Sequence, residues 1–142
     1  MLEKIENKLV YKISEFLYID SEGIKQVRNK KAFNPVIKNF DFDNFKSLNE
    51  EEIDCCKRYI LFAKEKKGFY NNSYSLKHRV EKYFNTYISN GAFIVALLYF
   101  DKKVKFYKNI NDFECEFLSL KDLKKEIIPN LSYNVFCKIK SY

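Results

Sequence analysis

At 142 residues the chain has the length of one domain, and it is expected to fold as a single domain over 1–142. Hydrophobic residues at 46% and aromatic residues at 18% supply a core, and 32% charged residues without a long polar tract exclude a disordered chain. The net charge of +7 splits into +2 over residues 1–67 and +5 over 68–142, an excess that favours an acidic partner.

The first predicted element is an amphipathic helix, because Leu2, Ile5, Leu9, Ile13, Phe16 and Leu17 recur at three- and four-residue spacing. Ser21-Glu22-Gly23 interrupts it. Ile24 to Lys31 reads as a short basic helix ended by Asn34-Pro35, and Asp41 to Lys46 as an aromatic loop packed on the core. Ser47 and Glu50 form a capping box for a helix running to about Lys67, with Gly68 as its left-handed stop. Ser73 or Ser75 caps a third helix through about Phe84, with Leu76, Val80 and Phe84 inward. Asn90-Gly91 reads as a turn before a fourth, wholly apolar helix from Ala92 to about Phe100.

Beyond it the period changes to two. Val104 and Phe106 alternate with Lys103, Lys105 and Tyr107; Phe113, Cys115 and Phe117 alternate with Glu114 and Glu116. With turn residues Asn109 to Asp112 between them, residues 103–118 read as a β-hairpin. Ser119 opens a short helix stopped before Pro129, and Tyr133, Val135, Cys137 and Ile139 alternate as a last strand over 132–140. The fold class expected is α+β, with a helical N-terminal two-thirds packed on a small antiparallel sheet made of hairpin 103–118 and strand 132–140.

Apolar runs are too short to cross a membrane, since Ala92 to Phe100 is the longest and a spanning helix needs about 18 residues. The N-terminus alternates charge with apolar residues and shows no signal-peptide pattern, so a cytoplasmic location in the host cell is expected. Cys55, Cys56, Cys115 and Cys137 lack zinc or haem spacing and read as free thiols.

The chemistry of an enzyme is poorly supplied. His78 is the only histidine, and no local pattern pairs it with a nucleophile. Glu114 and Glu116 have the spacing to share a magnesium ion, but they read better as a solvated strand face paired with Lys103 and Lys105. Three glycines leave no phosphate-cradling loop. The expectation is a non-enzymatic protein without cofactor or metal.

Binding signals remain. Lys67-Gly68-Phe69 matches the opening of an RNA-recognition-motif signature, but Tyr70 and Asn71 break it. The helix pair around Asn90-Gly91 has the outline of a helix-turn-helix, yet its second helix is apolar on every face and cannot read bases. A looser electrostatic surface fits better. Lys77, Arg79, Lys82 and Tyr83 are placed on the third helix, and Lys102, Lys103, Lys105, Tyr107 and Lys108 on the strand after the fourth. Lysine outnumbers arginine 23 to three, which suits point-charge contact with phosphate more than bidentate base readout.

Ser73-Tyr74-Ser75-Leu76-Lys77-His78, followed by Tyr87-Ile88-Ser89-Asn90-Gly91-Ala92-Phe93-Ile94-Val95-Ala96, is similar to a pattern in small proteins of phages and mobile elements. There a Ser-Tyr-x-Leu-Lys-His helix precedes a Tyr-x-Ser-Asn-Gly-x-Phe-Ile-x-Ala turn and helix. The match is confined to residues 73–96, and Tyr99-Phe100-Asp101 departs from the Gly-Phe that usually comes next. The resemblance carries no catalytic role. It implies an anti-defence protein of the anti-CRISPR kind, which would bind a host nuclease or its guide-RNA complex through the basic, aromatic surface. The alternative is a general RNA- or DNA-binding accessory protein, and neither reading involves a membrane.

Overall fold

The computed structural model describes residues 1–27, 44–69 and 71–140. The chain is α+β, but a helical N-terminal two-thirds is not what it builds. Residues 2–26 form four strands, β1 (Leu2–Ile5), β2 (Lys8–Lys12), β3 (Leu17–Asp20) and β4 (Gly23–Gln26), joined as an antiparallel meander in the order β1-β2-β3-β4. The helix expected over the first 17 residues, and the start of the one expected from Ile24, are therefore strands; residues 28–43 lie outside the described residues.

The physical reason is burial on both faces. Leu17 and Ile19 of β3 join the main core, while Tyr18 between them packs with Val10, Val27 and Phe45 in a second, smaller cluster. A strand covered on both sides loses its two-residue alternation and can pass for helical spacing. The β1–β2 turn also hides itself. Glu6 and Asn7 both take positive φ, 51° and 67°, a turn geometry that usually advertises itself with glycine.

Asp20 organises the junction of this sheet with the loop before the first helix. Its fully buried carboxylate accepts from the backbone N–H of Glu22 (2.9 Å), Gly23 (3.3 Å) and Lys46 (2.9 Å). Burial pushes its pKa above the ordinary carboxylate value, against the pull of those N–H groups and Lys25.

Helix α1 (Glu50–Phe62) is capped by Asn49, whose Oδ1 accepts from Glu51 and Glu52 N–H. Ser47 instead accepts from Leu9 N–H at 3.0 Å, tying the loop to β2. The helix stops at Phe62 because the residues after it pair with the end of the chain: Lys66 N–H donates to Lys138 O and Lys140 N–H to Lys64 O. Gly68 is thus not its stop, and Lys64, Lys66 and Lys67 are off the helix.

Strand β5 (Asn71–Asn72) leads into α2 (Ser73–Phe84), capped by Asn72 and ended by Asn85 in the left-handed conformation. Ser89 caps α3 (Asn90–Tyr99) through Ala92 N–H at 3.1 Å. Asn90 and Gly91, expected as a turn, are its first residues. A Cβ on Gly91 would lie 1.6 Å from the Asp20 carbonyl oxygen, so only glycine lets the helix reach β3. From Asn90 to Leu97 every residue of α3 is buried, and the core is assembled around it from α1, α2, β3, β4 and the second sheet.

That sheet comprises β5, β6 (Val104–Asn109), β7 (Cys115–Leu118) and β8 (Phe136–Cys137) in the antiparallel order β5-β8-β6-β7. The last strand is shorter than expected, although isolated bridges Lys108↔Leu131 and Glu65↔Ile139 continue the pairing on either side. Between β7 and β8, α4 (Leu120–Lys125) starts from a capping box of Ser119 and Asp122.

Candidate nucleic-acid interface

Alternation along β6 sends Phe106 into the core and Lys105, Tyr107 and Asn109 to the outward face. Register sets Phe136 opposite Lys105 and Phe117 opposite Tyr107, and cross-strand partners share a face. The rings meet there: centroids are 4.7 Å apart for Tyr107–Phe136, 5.8 Å for Phe117–Phe136 and 6.4 Å for Tyr107–Phe117. Asn72 of β5 donates to the Tyr107 hydroxyl at 2.8 Å, which holds that ring down. Phe117 stays 49% exposed, enough ring face for a further planar group to stack.

Lysines lie over Phe117 and over a further ring, Phe69. Lys105 Nζ is 4.7 Å from the Phe69 centroid and 5.1 Å from that of Phe117, and Lys138 Nζ is 4.9 Å from Phe69. Around the bridge of Glu65 with buried Ile139, Lys64 stands opposite Lys140 and Lys66 opposite Lys138, so four lysines continue the outward face. Lys103 precedes β6 in the same alternation. Among the described residues no outward position of β5, β6, β7 or β8 is a carboxylate. The result is an aromatic platform edged by positive charge.

The sequence-predicted residues divide between several places. Lys103, Lys105 and Tyr107 come together on this face, with Tyr107 nearly covered by its neighbours. Lys102 and Lys108 are instead paired, Lys102 with Glu65 at 3.1 Å and Lys108 with Glu116 at 3.1 Å. The cross-strand partner of Glu116 is therefore Lys108, not Lys103 or Lys105. Arg79, Lys82 and Tyr83 lie on the exposed side of α2, where Tyr83 packs edge-on against Tyr59 and Phe84. Lys77, expected outside, is buried: its ammonium lies 3.4 Å from Glu81 and about 5 Å from the rings of Tyr74 and Tyr87.

Phe69, Phe117, Phe136 and Lys138 escape a reading of the sequence. Phe69 belongs to the broken RNA-recognition signature, and the alternation of Phe117 with Glu116 suggests the core face of the hairpin. The signal available is the last strand, where inward Val135, Cys137 and Ile139 leave Phe136, Lys138 and Lys140 outward.

Beside this face opens a cleft of about 830 Å³. Tyr74, Lys77, Tyr87 and Asn90, all between residues 74 and 90, form one wall, and Asn109, Asn130, Ser132, Tyr133 and Asn134 another. Asn90 is held rigidly, donating to Glu22 O (2.9 Å), Tyr133 O (3.2 Å) and Asn134 Oδ1 (2.8 Å).

The remaining reactive groups are tied into structure. His78 Nδ1 lies 2.7 Å from Glu81. Burial pushes the Glu81 carboxyl up, but Ile88 N–H, His78 and Lys77 outweigh it and hold it below its ordinary value. Burial raises the thiol pKa of Cys56 well above the usual range and that of Cys137 to about 11. Among the described residues no three His, Cys, Asp or Glu side chains gather as metal ligands, and no helix is long and apolar enough to cross a membrane. Asp41 and Asp43, a carboxylate pair in the sequence, lie outside the described residues. Comparison with known protein families, curated proteins and solved structures finds no match.

Proposed function

We propose that this protein binds single-stranded nucleic acid along the outward face of the second sheet. The observation that carries the reading is the Phe117–Phe136 ring pair, with the Lys105 ammonium lying over both Phe117 and Phe69 and the Lys138 ammonium over Phe69. Exposed rings stack bases of any sequence, each contact contributing about 1–3 kcal/mol, while lysines neutralise phosphates along the strand. A base arriving on Phe69 or Phe117 displaces an ammonium from the ring, and the released lysine is then placed to meet the flanking phosphate. A duplex keeps its bases stacked inside and offers these rings nothing.

The test is fluorescence anisotropy with a labelled 12-nucleotide single strand. Lys105→Glu combined with Lys138→Glu is expected to weaken binding at least tenfold without changing the thermal unfolding midpoint. Unchanged affinity in the folded double variant would overturn the assignment.

A second reading, inhibition of a host defence nuclease or its guide-RNA complex, is favoured by a different feature. Phe62 and Tyr83 are 82% and 75% exposed at an apolar groove of about 380 Å³ between α1 and α2. This reading predicts that the protein captures its target even after RNase treatment, and that Phe62→Asp abolishes capture. Capture abolished by RNase alone would remove it in favour of the nucleic-acid reading.

A further inference from the structure

The cleft beside the platform is built from the same ladder as the platform itself. The bridge Lys108↔Leu131, with Asn109 N–H donating to Asn130 O and Ser132 N–H to Tyr107 O, sets Asn130 opposite Asn109 and Ser132 opposite Tyr107. Asn109 comes after Lys105 and Tyr107 on the outward side of β6, so the ring-covered face runs without a break into the cleft wall.

The chemistry changes along the way. The side-chain amides of Asn109 and Asn130 and the hydroxyls of Tyr74, Tyr87 and Tyr133 make no hydrogen bond to the described residues, and all of them line the cleft. Each asparagine offers a donor beside an acceptor, the pairing that matches the edge of a nucleobase. Tyrosine rings supply stacking surfaces. Lys77 adds a fixed cation, held between two rings, whose three N–H donors are not exhausted by one carboxylate 3.4 Å away. At about 830 Å³ the volume falls in the range of small-ligand sites and exceeds what one nucleotide needs.

We propose that this cleft is a base-reading subsite, in which one unstacked base of the bound strand hydrogen-bonds to Asn109 and Asn130 while its phosphate meets Lys77. The inference rests on the nucleic-acid reading of the sheet face and adds selectivity to it. The platform grips any single strand through rings and charge, and the cleft sorts strands by the base turned into it. Asn90, which fixes Asn134 and the Tyr133 carbonyl, positions the wall without touching the base.

The experiment compares the anisotropy of labelled 12-nucleotide poly(rA), poly(rC) and poly(rU) on the intact protein and on the Asn109→Ala/Asn130→Gly variant. Glycine suits position 130 because Asn130 has a φ of 58°, which glycine adopts without strain. The wild type is expected to show at least a tenfold spread among the three strands. The variant should compress that spread to about twofold, mainly by losing affinity for the preferred strand, with an unchanged unfolding midpoint. Equal binding of all three by the wild type overturns the subsite and leaves the platform standing. A spread that survives in the folded variant also overturns it. No binding of any strand at low salt overturns the platform reading and this one together. Tyr74→Phe provides an independent check, because loss of its hydroxyl should lower affinity for the preferred strand alone.

Discussion

The Asn90 side chain donates to acceptors from two distant segments, the Glu22 carbonyl after β3 and the Tyr133–Asn134 stretch before β8. Asn90→Ala leaves these part-buried acceptors at the cleft wall without their shared donor, and a polar group stripped of its partner costs about 1–3 kcal/mol. The expected loss is at least ~2 kcal/mol in urea unfolding, with no change in the denaturant slope. A loss under ~0.5 kcal/mol would mean that water replaces the amide. Its neighbour Gly91 serves the same junction by the opposite means, offering no side chain where α3 meets the Asp20 carbonyl. In the sequence, Asn90-Gly91 is indistinguishable from a turn, because both residues favour turns when considered alone. Only the approach of β3, far away in the chain, makes them helical. Within residues 73–96, Ser89, Asn90 and Gly91 thus have structural duties, whereas Tyr74 and Tyr87 present unengaged hydroxyls to the cleft.

Elements defined by local chemistry were legible: α2, the apolar α3, the hairpin of β6 and β7, and the Ser119 cap of α4. Those fixed by distant partners were not. β3 is buried on both faces, and α1 ends early because residues 64–66 pair with 138–140. Facing within the hairpin also escaped, since Phe117 alternates with Glu116 in a way that suggests an inward ring, whereas the glutamate reaches Lys108 at the sheet edge. Strand β8 offers a test at this scale. Burial raises the Cys137 thiol from an ordinary value of 9.0 to about 11. The folded state favours the thiol, so this contribution is complete below pH ~9 and fades as pH rises toward 11, by about 2–3 kcal/mol in all. Cys137→Ala should therefore lose less stability than the wild type between pH 9 and 11, as tracked by urea unfolding at each pH. Parallel pH curves for the two proteins would contradict a buried, protonated Cys137.

Across the whole molecule, the net charge of +7 is sorted as much as it is added. Lys102, Lys108, Lys25 and Lys12 are each paired with a carboxylate, while Lys105 and Lys138 of the second sheet's outward face lie on aromatic rings. Composition points to a basic, aromatic surface, but the residues forming the sheet face come from four separate stretches, around 64–69, 103–109, 117 and 136–140. No local window of sequence contains that surface, and the basic residues of α2, which the sequence groups with it, lie elsewhere. The platform and the cleft share β6, so general grip and selective reading would act on one strand at once. The measurement that tests this account most directly is the affinity of the intact protein for a 12-nucleotide single strand across salt concentrations, beside a duplex of equal length. With about five lysines meeting phosphates, log K should fall against log salt with a slope of about −3.5, and the single strand should bind at least tenfold more tightly than the duplex. A flat salt response, or a duplex bound as well as the single strand, would contradict it.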